Sequence, residues 1–264
     1  MAEADLERCI AFIRAFEERR ARRIVPFRFG KAMFDDELPR VRDLNFLWIR
    51  PDADPYPEQL IEDADRLQGG AGLEHRSIFV DNEELGARLE DHFRKRGWIV
   101  VVDLVMPHVR AEEPVDTYLI HEVSAQELAP MWAEGIRSEP WGSDEETVRQ
   151  LVEAQLLRRR AARVRYFAAF EAGRIVSYCE LFSDGKTGQI ESVMTLPEDR
   201  GKGHGRAVVT KALQESRTMG HTLTFLVAHE DDWPKELYRT LGFEEAGRLF
   251  SFVRTPERPA NVPK

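Results

Sequence analysis

The chain has 264 residues, of which 42% are hydrophobic and 32% are charged, and its formal net charge is −9. This length allows one large domain or two small ones, and the composition is that of an ordinary globular protein. The acidic balance argues against broad nucleic-acid binding, and no apolar run approaches the ~18 residues of a membrane span.

The start of the sequence and its cysteines favour a cytoplasmic protein. The first residues are acidic and lack the apolar region that a signal peptide needs. Cys9 and Cys179 lie far apart in the sequence, which favours two buried thiols over a disulfide framework or a metal site. We therefore expect a reducing, cytoplasmic location and no bound metal.

The first half alternates strands with helices. Leu6, Cys9, Ile10, Ile13 and Phe16 form an amphipathic stripe, which predicts a first helix. Strands are predicted at 24–29, 44–49, 77–80 and 98–106, and helices at 57–67 and 83–95. The segment 107–114 contains two prolines and several charges without an apolar period, so it is predicted to be a linker.

The second half has a different order of elements. Ser124 is predicted to cap a helix that ends near Ile136, and Ser143 with Glu146 forms a capping box for a helix that ends near Arg160. Strands are predicted at 117–121, 164–170, 175–182, 189–196, 223–228 and 244–254, and helices at 207–219 and 234–241. This order describes an antiparallel meander followed by a β-α-β crossover.

A glycine-rich turn joins the strand 189–196 to the helix 207–219. Its residues are Arg200, Gly201, Lys202, Gly203, His204, Gly205 and Arg206. The glycines let backbone N–H groups turn toward one point, the start of a helix adds partial positive charge, and three basic side chains add full charges. This pattern predicts a phosphate or pyrophosphate site. A P-loop is excluded because Lys202 is followed by Gly203, and the glycine spacing of a dinucleotide fold is absent.

The motif R-x-x-G-x-G at 200–205 resembles the acetyl-CoA pyrophosphate loop of the GCN5-related N-acetyltransferase (GNAT) superfamily. The element order from about Asp116 to Pro256 is similar to the complete fold of that family. The resemblance implies an α+β (mixed α/β) fold, with a mixed, mostly antiparallel sheet flanked by helices.

The two halves resemble each other. The segment 92–98 and the segment 237–243 both form a helix end followed by glycine and an aromatic residue, and the elements before them follow the same order. We therefore predict a tandem of two acetyltransferase-like domains, a degenerate one at 1–112 and an N-acetyltransferase domain at 116–258. A chance match is the competing explanation, because helices that end in this way are common.

The N-terminal copy is predicted to be an empty scaffold. Its segment 66–71 formally fits R-x-x-G-x-A, but it follows a helix and precedes a strand, so no helix N-terminus faces an anion there. Phe93 stands where the C-terminal copy has Tyr238, and a phenyl ring cannot donate a proton.

Acetyl transfer to an amine poses three physical problems. A lysine amine, with a pKa of about 10.4, must lose a proton before it attacks, an oxyanion needs a hydrogen-bond donor, and the leaving thiolate needs an acid. The resemblance implies Tyr238 as the acid, with a packed structural tyrosine as the alternative. Main-chain N–H groups of the strand before the loop are implied as the oxyanion donors, and these belong to Val193, Met194 and Thr195.

The catalytic base is less clear from the sequence. Glu191 is the first candidate, Glu180 on the adjacent strand is the second, and His229 is the third. The competing interpretations are solvent-facing strand residues for the glutamates and a loop residue for the histidine.

Four positions depart from the family pattern. Thr195 stands where valine is usual, and His204 stands where isoleucine or leucine is usual, which would loosen the packing of the loop. Asp231 and Pro234 replace the asparagine and alanine that are common before the tyrosine, so one contact to the pantetheine arm would weaken. None of these changes removes the anion site.

Two further features leave alternatives open. The arginine-rich runs 19–23 and 158–165 are predicted to be solvated helix ends, and contact with an anionic partner is the alternative. The loop 137–142 belongs to the expected acceptor side, where Trp141 is either a lid or a residue packed on the next helix.

The sequence therefore predicts an N-acetyltransferase that moves an acetyl group from acetyl-CoA to a primary amine by direct attack in a ternary complex. The acceptor is a small-molecule amine or a peptide or protein amine, and neither nucleic acid nor membrane is an expected partner. The cofactor-binding residues are predicted to be 193–195 and 200–206, and the catalytic residues Tyr238 and Glu191. A non-catalytic acyl-CoA sensor is the alternative function, and the oligomeric state is left open, with a homodimer as one option.

Overall fold

The computed structural model describes residues 2–110, 116–139 and 142–255. The helices are α1 Ala2–Arg20, α2 Pro57–Ala64, α3 Glu83–Lys95, α4 Ala125–Ser138, α5 Glu145–Leu157, α6 His204–Thr218 and α7 Pro234–Thr240. The strands are β1 Arg23–Phe27, β2 Gly30–Phe34, β3 Phe46–Ile49, β4 Arg76–Val80, β5 Ile99–Pro107, β6 Ile120–Val123, β7 Arg163–Glu171, β8 Arg174–Ser183, β9 Thr187–Thr195, β10 Leu223–His229 and β11 Gly247–Arg254.

The described residues form two compact units. The first unit contains residues 2–20 and 103–248, and the second contains residues 21–102 and 249–255. The predicted boundaries at 112 and 116 are therefore not the boundaries of the compact units, and the upper limit of the predicted domain at 258 lies outside the described residues.

Two elements account for this division of the chain. Helix α1 packs its apolar stripe in the first unit, where the ring of Phe16 stacks on Phe182 with centroids 4.9 Å apart. Strand β11 pairs antiparallel with β4, and Phe252 lies opposite Ile78 in the second unit. The amphipathic pattern of the sequence predicts that α1 buries one face, but it does not specify the sheet on which that face packs.

The sheet of the first unit follows the predicted meander and crossover. Its order is β6-β7-β8-β9-β10, followed by residues 103–107 of β5. Strands β6, β7, β8 and β9 pair antiparallel with one another. Strand β10 pairs parallel with β9, and the crossover helix α6 connects the two strands. Helix α6 buries Val208 and Leu213 in the core on one face, and α4 buries Leu128 and Trp132 in the core cluster on the other face.

The sheet of the second unit has the order β1-β2-β3-β4-β11. Strands β3 and β4 are parallel and are joined through α2, as β9 and β10 are joined through α6. The mixed α/β fold, with a mixed sheet flanked by helices, is thus confirmed.

The ends of α3 and α7 share one backbone geometry. The Trp98 N–H donates to the Phe93 carbonyl at 3.0 Å, and the Phe243 N–H donates to the Tyr238 carbonyl at 3.1 Å. The glycine between the two residues of each pair has a positive φ, 76° in the first case and 91° in the second. The repeat noticed in the sequence therefore extends to the hydrogen bonds of these helix ends.

Several local predictions need correction. Strand β2 was missed in the sequence, and the cap of α5 is Asp144, whose side chain accepts from the Thr147 N–H, instead of Ser143. Helix α6 begins at His204, three residues earlier than expected, so part of the glycine turn belongs to the first turn of the helix.

Two arginines of the run 158–165 are paired with carboxylates of the first unit. Arg158 pairs with the buried Glu180 at 2.9 Å, and Arg165 pairs with Glu122 and Glu215 at 2.7 Å each. These ion pairs account for Arg158 and Arg165 without a solvated helix end or an anionic partner.

Within the described ranges, no helix combines the length and apolar character needed to cross a membrane.

Candidate functional site

The first unit contains a cavity of about 570 Å³. Three segments line it: the end of β9, the glycine turn with the start of α6, and the start of α7. The lining residues are Val193, Met194, Thr195, Asp199, Arg200, Gly201, Gly203, His204, Gly205, Arg206, Asp232, Trp233, Pro234, Leu237 and Tyr238. The cavity therefore brings together three predicted segments that are separate in the sequence.

Strand β9 leaves its parallel neighbour before it reaches the cavity. Its pairing with β10 covers Thr187–Ile190, while the strand itself continues to Thr195. A bulge interrupts its pairing with β8, and Ser192 at that point has a φ of 52°, which L-residues adopt only with strain. Beyond the bulge, the buried Ser177 hydroxyl donates to the Met194 carbonyl at 2.8 Å and fixes the segment that lines the cavity.

The glycine turn has the backbone conformation that the sequence predicts. Gly201 and Gly203 have φ values of 79° and 90°, and Gly203 is the N-cap of α6. No neighbouring heavy atom lies within 4 Å of where a Cβ would stand at either position, so the backbone angle, and not crowding, favours glycine. Turns of this kind at a helix N-terminus favour an anion.

The basic side chains of the turn differ in their positions. The Arg200 Nε donates to the Thr195 carbonyl at 3.2 Å, and the Arg206 guanidinium donates to the Thr240 hydroxyl at 2.6 Å, so both are held beside the cavity that they line. Lys202 is absent from the lining residues of the described chain. Its ammonium pairs with Asp199 at 2.7 Å and with Glu171 at 2.9 Å.

His204 contacts the carboxylate of Glu171, as Lys202 does. Its Nε2 lies 2.8 Å from Oε1 of Glu171, in the turn between β7 and β8. Arg174, at the other end of that turn, pairs with Asp199 at 2.9 Å. We call Glu171, Arg174, Asp199, Lys202 and His204 the brace, because together they tie the glycine turn to the β7–β8 turn.

Tyr238 lines the cavity from α7 and is 7% exposed. Burial raises the pKa of its hydroxyl, and the negative charge of Glu191 raises it further. The phenol therefore remains protonated at neutral pH and able to donate a hydrogen bond.

Glu191 lies on β9 two residues before the cavity-lining segment. It is half-buried, and its Oε1 accepts from the Gln189 amide at 2.6 Å. Burial raises the pKa of Glu191 to about 7, although the positive charge of Arg158 acts in the opposite direction. Glu191 is not among the cavity-lining residues of the described chain.

The other two candidate bases have different surroundings. Glu180 is fully buried and paired with Arg158, so it is held in the interior. His229 is exposed, and its Nδ1 accepts from the Asp231 N–H at 3.2 Å. Neither residue lines the cavity within the described part of the chain.

The sequence analysis missed part of the lining. Asp232 and Trp233 contribute from the loop before α7, and Leu237 contributes from its first turns. The sequence did contain a signal, because a tryptophan directly follows the acidic residues 230–232 and precedes a predicted helix. In the structure the side chain of Trp233 is 62% exposed, which is unusual for tryptophan. The predicted role of Trp141 falls outside the described residues.

Among the residues that the structure describes, no cluster of three or more histidine, cysteine, aspartate or glutamate residues is placed to hold a metal ion.

Comparisons with known proteins give one family model and several solved structures that are similar to this chain. Residues 128–243 match the sequence model of the acetyltransferase (GNAT) family. A GCN5-related N-acetyltransferase from Kribbella flavida is 19% identical, with a TM-score of 0.62 over 96% of both chains. A tandem GNAT protein from the clavulanic acid biosynthesis pathway is 14% identical, with a TM-score of 0.53 over 79% of this chain and 73% of that one.

A third solved structure has no stated function. It is a functionally unknown conserved protein from Staphylococcus epidermidis, 16% identical, with a TM-score of 0.69 over 89% of this chain and 94% of that one. At these identities the structural likeness establishes the fold alone. The sequence matches no curated protein.

Proposed function

We propose that this chain, whose residues 128–243 match the sequence model of the GNAT acetyltransferase family, transfers an acetyl group from acetyl-CoA to a primary amine. One observation carries the proposal. A single cavity is lined by the glycine turn, by the end of β9 beyond its bulge, and by the protonated Tyr238.

The residues present fit the coenzyme. The turn around Gly201 and Gly203 offers backbone N–H groups and a helix N-terminus to a diphosphate, and Arg200 and Arg206 add positive charge on the same side. Acetyl-CoA would supply the activated acetyl thioester. Lys202 is left out of this set because its ammonium is bound to Asp199 and Glu171.

The protein would perform three tasks around that thioester. Main-chain N–H groups of 193–195 would donate to the acetyl oxygen as negative charge develops there. The Tyr238 hydroxyl would protonate the leaving sulfur, and Glu191 would accept the proton of the amine through one water molecule. The pKa of about 7 suits Glu191 to this task, because the group can both accept and release a proton near neutral pH.

The proposal is tested by the release of coenzyme A thiol from acetyl-CoA. The assay would use a panel of small amines, peptides with a free N-terminus and peptides with an internal lysine. We expect release above the hydrolytic background with one class of these acceptors, and that class identifies the substrate.

A sensor that binds acyl-CoA without turnover is the second candidate. It is favoured by the position of Glu191 outside the set of residues that line the cavity. Binding of acetyl-CoA by calorimetry, without amine-dependent thiol release from any member of the panel, would select the sensor. Absence of binding at millimolar acetyl-CoA would exclude both candidates.

A further inference from the structure

On the premise of the proposed function, we infer that Arg158 and Glu180 are positioning residues, which hold the bulged segment of β9 in place and determine when the Glu191 carboxylate is available as a base. Neither residue lines the cavity within the described chain. Both would act through Glu191 and Ser192.

Arg158 contacts the strand at its strained point. It lies in the 3₁₀ turn that follows α5, and its Nη1 donates to Oε1 of Glu180 at 2.9 Å and to the Ser192 hydroxyl at 2.7 Å. Ser192, with its φ of 52°, directly precedes the segment 193–195. One guanidinium therefore fixes both the bulge and the neighbouring strand β8.

Glu180 and Glu191 compete for this single positive charge. They lie opposite each other in the β8–β9 pairing, and Glu180 is fully buried. A buried site with one guanidinium stabilises one carboxylate well and a second one poorly. The hydrogen bond of Arg158 goes to Glu180, so Glu191 is the carboxylate without a direct partner in this guanidinium, and burial raises its pKa to about 7.

The remaining oxygen of Glu180 shows that this carboxylate depends on Arg158. In the described part of the chain, Oε2 of Glu180 is buried without a hydrogen-bond partner, as is the hydroxyl of Tyr166, which lies opposite Glu180 on β7. Among the described side chains, the Glu180 carboxylate is therefore held through its Oε1 alone, by the hydrogen bond from Arg158. Loss of the guanidinium would leave Glu180 with no other cation in contact.

The neighbourhood of Glu191 contains few other charges. The titratable groups that act on it or on its partners come from several segments: Arg158 and Arg159 from the 3₁₀ turn, Tyr166 from β7, Tyr178, Cys179 and Glu180 from β8, and Asp232 and Tyr238 from the loop before α7 and from α7. Burial raises the pKa of all three phenols, so they are neutral at pH 7. Arg159 and Asp232 act on Tyr166 and Tyr238, whereas Arg158 and Glu180 are the two charges that act on Glu191 itself.

Substitution of Arg158 and substitution of Glu180 should shift the titration midpoint of Glu191 in opposite directions. General damage to the fold would not produce opposite shifts. Arg158→Gln removes the attracting charge, so the titration midpoint of Glu191 should rise by about one pH unit. Glu180→Gln removes the competing carboxylate and frees the guanidinium, so the midpoint should fall by about the same amount. Arg160→Gln, an exposed neighbour in the same 3₁₀ turn, is the control and should leave it unchanged.

The measurement is the ¹³C shift of the Glu191 side-chain carboxyl during a pH titration of the whole protein without ligands, with the signal assigned by its loss in Glu191→Gln. It needs no turnover, so opposite shifts would support the inference even if the proposed activity failed. Unchanged midpoints, or shifts of the same sign in both variants, would overturn it. If Arg158→Gln does not fold, Glu180→Gln decides alone, since a midpoint that stays or rises contradicts the inference. Arg158→Lys, which keeps the charge, should retain the midpoint of the natural protein.

In the active enzyme the same shifts should appear in the pH profile of kcat/KM. The acid limb should move upward in Arg158→Gln and downward in Glu180→Gln. A change in KM for acetyl-CoA with an unmoved limb would indicate a merely structural role.

Discussion

The hydroxyl of Tyr238 carries the acid role in the proposed function, and the same ring also packs against Phe243 with centroids 6.2 Å apart. Tyr238→Phe removes the proton and keeps the ring. We expect kcat to fall by about a hundredfold or more, with nearly unchanged affinity for acetyl-CoA, because the coenzyme would be held by the glycine turn. Steady-state thiol release and calorimetry measure the two quantities.

Tyr118→Phe is the matched control for this change. Tyr118 is 83% exposed and belongs to the same unit, so its hydroxyl should affect neither quantity. An equal loss of affinity and rate in Tyr238→Phe would assign the tyrosine a packing role instead.

Gly203 tests whether the backbone of the turn binds the coenzyme. An added methyl group meets no heavy atom within 4 Å, but φ is 90°, so Gly203→Ala should cost about 1 kcal/mol of unfolding free energy and turn N–H groups away from the diphosphate. We expect acetyl-CoA affinity to fall about tenfold or more by calorimetry, a loss of about 1.4 kcal/mol.

Gly135 provides the opposite control. It lies within α4, and its added Cβ also meets no neighbour within 4 Å, so Gly135→Ala should stabilise the protein by about 0.5 kcal/mol and leave the affinity unchanged. Chemical denaturation measures both variants. Equal stability effects in the two would contradict the argument from backbone angle.

Glu191 makes the proposed activity depend on pH. Its pKa is raised to about 7, so the carboxylate is mostly protonated below that value and cannot accept the proton of the amine. We expect kcat/KM to rise with pH through about 7 and the acid limb to disappear in Glu191→Gln, whose residual rate should be lower. A limb that survives in Glu191→Gln would show that another group is the base.

At the scale of elements, the brace links the turn between β7 and β8 to the glycine turn. Ion pairs between exposed side chains, such as Glu171 with Lys202, contribute little to stability and are weakened further by salt. Glu171→Gln should therefore weaken acetyl-CoA binding by no more than about fivefold, because Lys202 and His204 lose a partner and the turn loosens. Calorimetry at low and moderate salt is the measurement.

Whether Glu171→Gln weakens or tightens acetyl-CoA binding decides the role of Lys202. If Lys202 were a phosphate ligand, as the sequence analysis predicted, removing the charge of Glu171 would release the ammonium toward the coenzyme and binding would tighten. Glu198→Gln is the control, since Glu198 pairs with Arg174 and not with Lys202.

The brace also explains what the sequence could predict. The positions of Gly201 and Gly203 relative to a strand and a helix were sufficient to predict the turn, because positive φ is a local property of glycine. The direction of Lys202 was not predictable, since it depends on Glu171, a residue of another hairpin. Strand β2 was missed for a similar reason, because Gly30–Phe34 lacks alternation and is held as a strand by pairing with both β1 and β3.

At the scale of the whole chain, the two parallel β-α-β crossovers differ in the loop that precedes their helix. Between β9 and α6 the loop contains Gly201 and Gly203, whereas the segment 50–56 between β3 and α2 contains two prolines, two aspartates and no glycine. Asp52 pairs with Arg50 at 3.0 Å, and Asp54 pairs with Arg88. The loop between β3 and α2 thus has aspartate carboxylates at the position in the crossover where the loop between β9 and α6 has the backbone N–H groups of a glycine turn.

The segment 66–71, which formally fits a coenzyme motif, offers no replacement. It covers most of the π-helical turn Asp65–Gly69, which follows α2, and the two residues after that turn. The buried Gln68 side chain donates to the Asn45 carbonyl at 2.9 Å. This hydrogen bond holds the turn against the interior of the second unit.

These two observations predict one acetyl-CoA per chain. Calorimetric titration of the whole protein should give a stoichiometry of one, because carboxylates and missing N–H groups at 50–56 disfavour a diphosphate. Phe93→Tyr, which copies the hydroxyl of Tyr238 into the second unit, should change neither stoichiometry nor rate. In Gly203→Ala the heat of the single site should weaken with no second phase remaining. A stoichiometry of two, or a phase that persists in that variant, would mean that the second unit binds the coenzyme through groups other than a glycine turn.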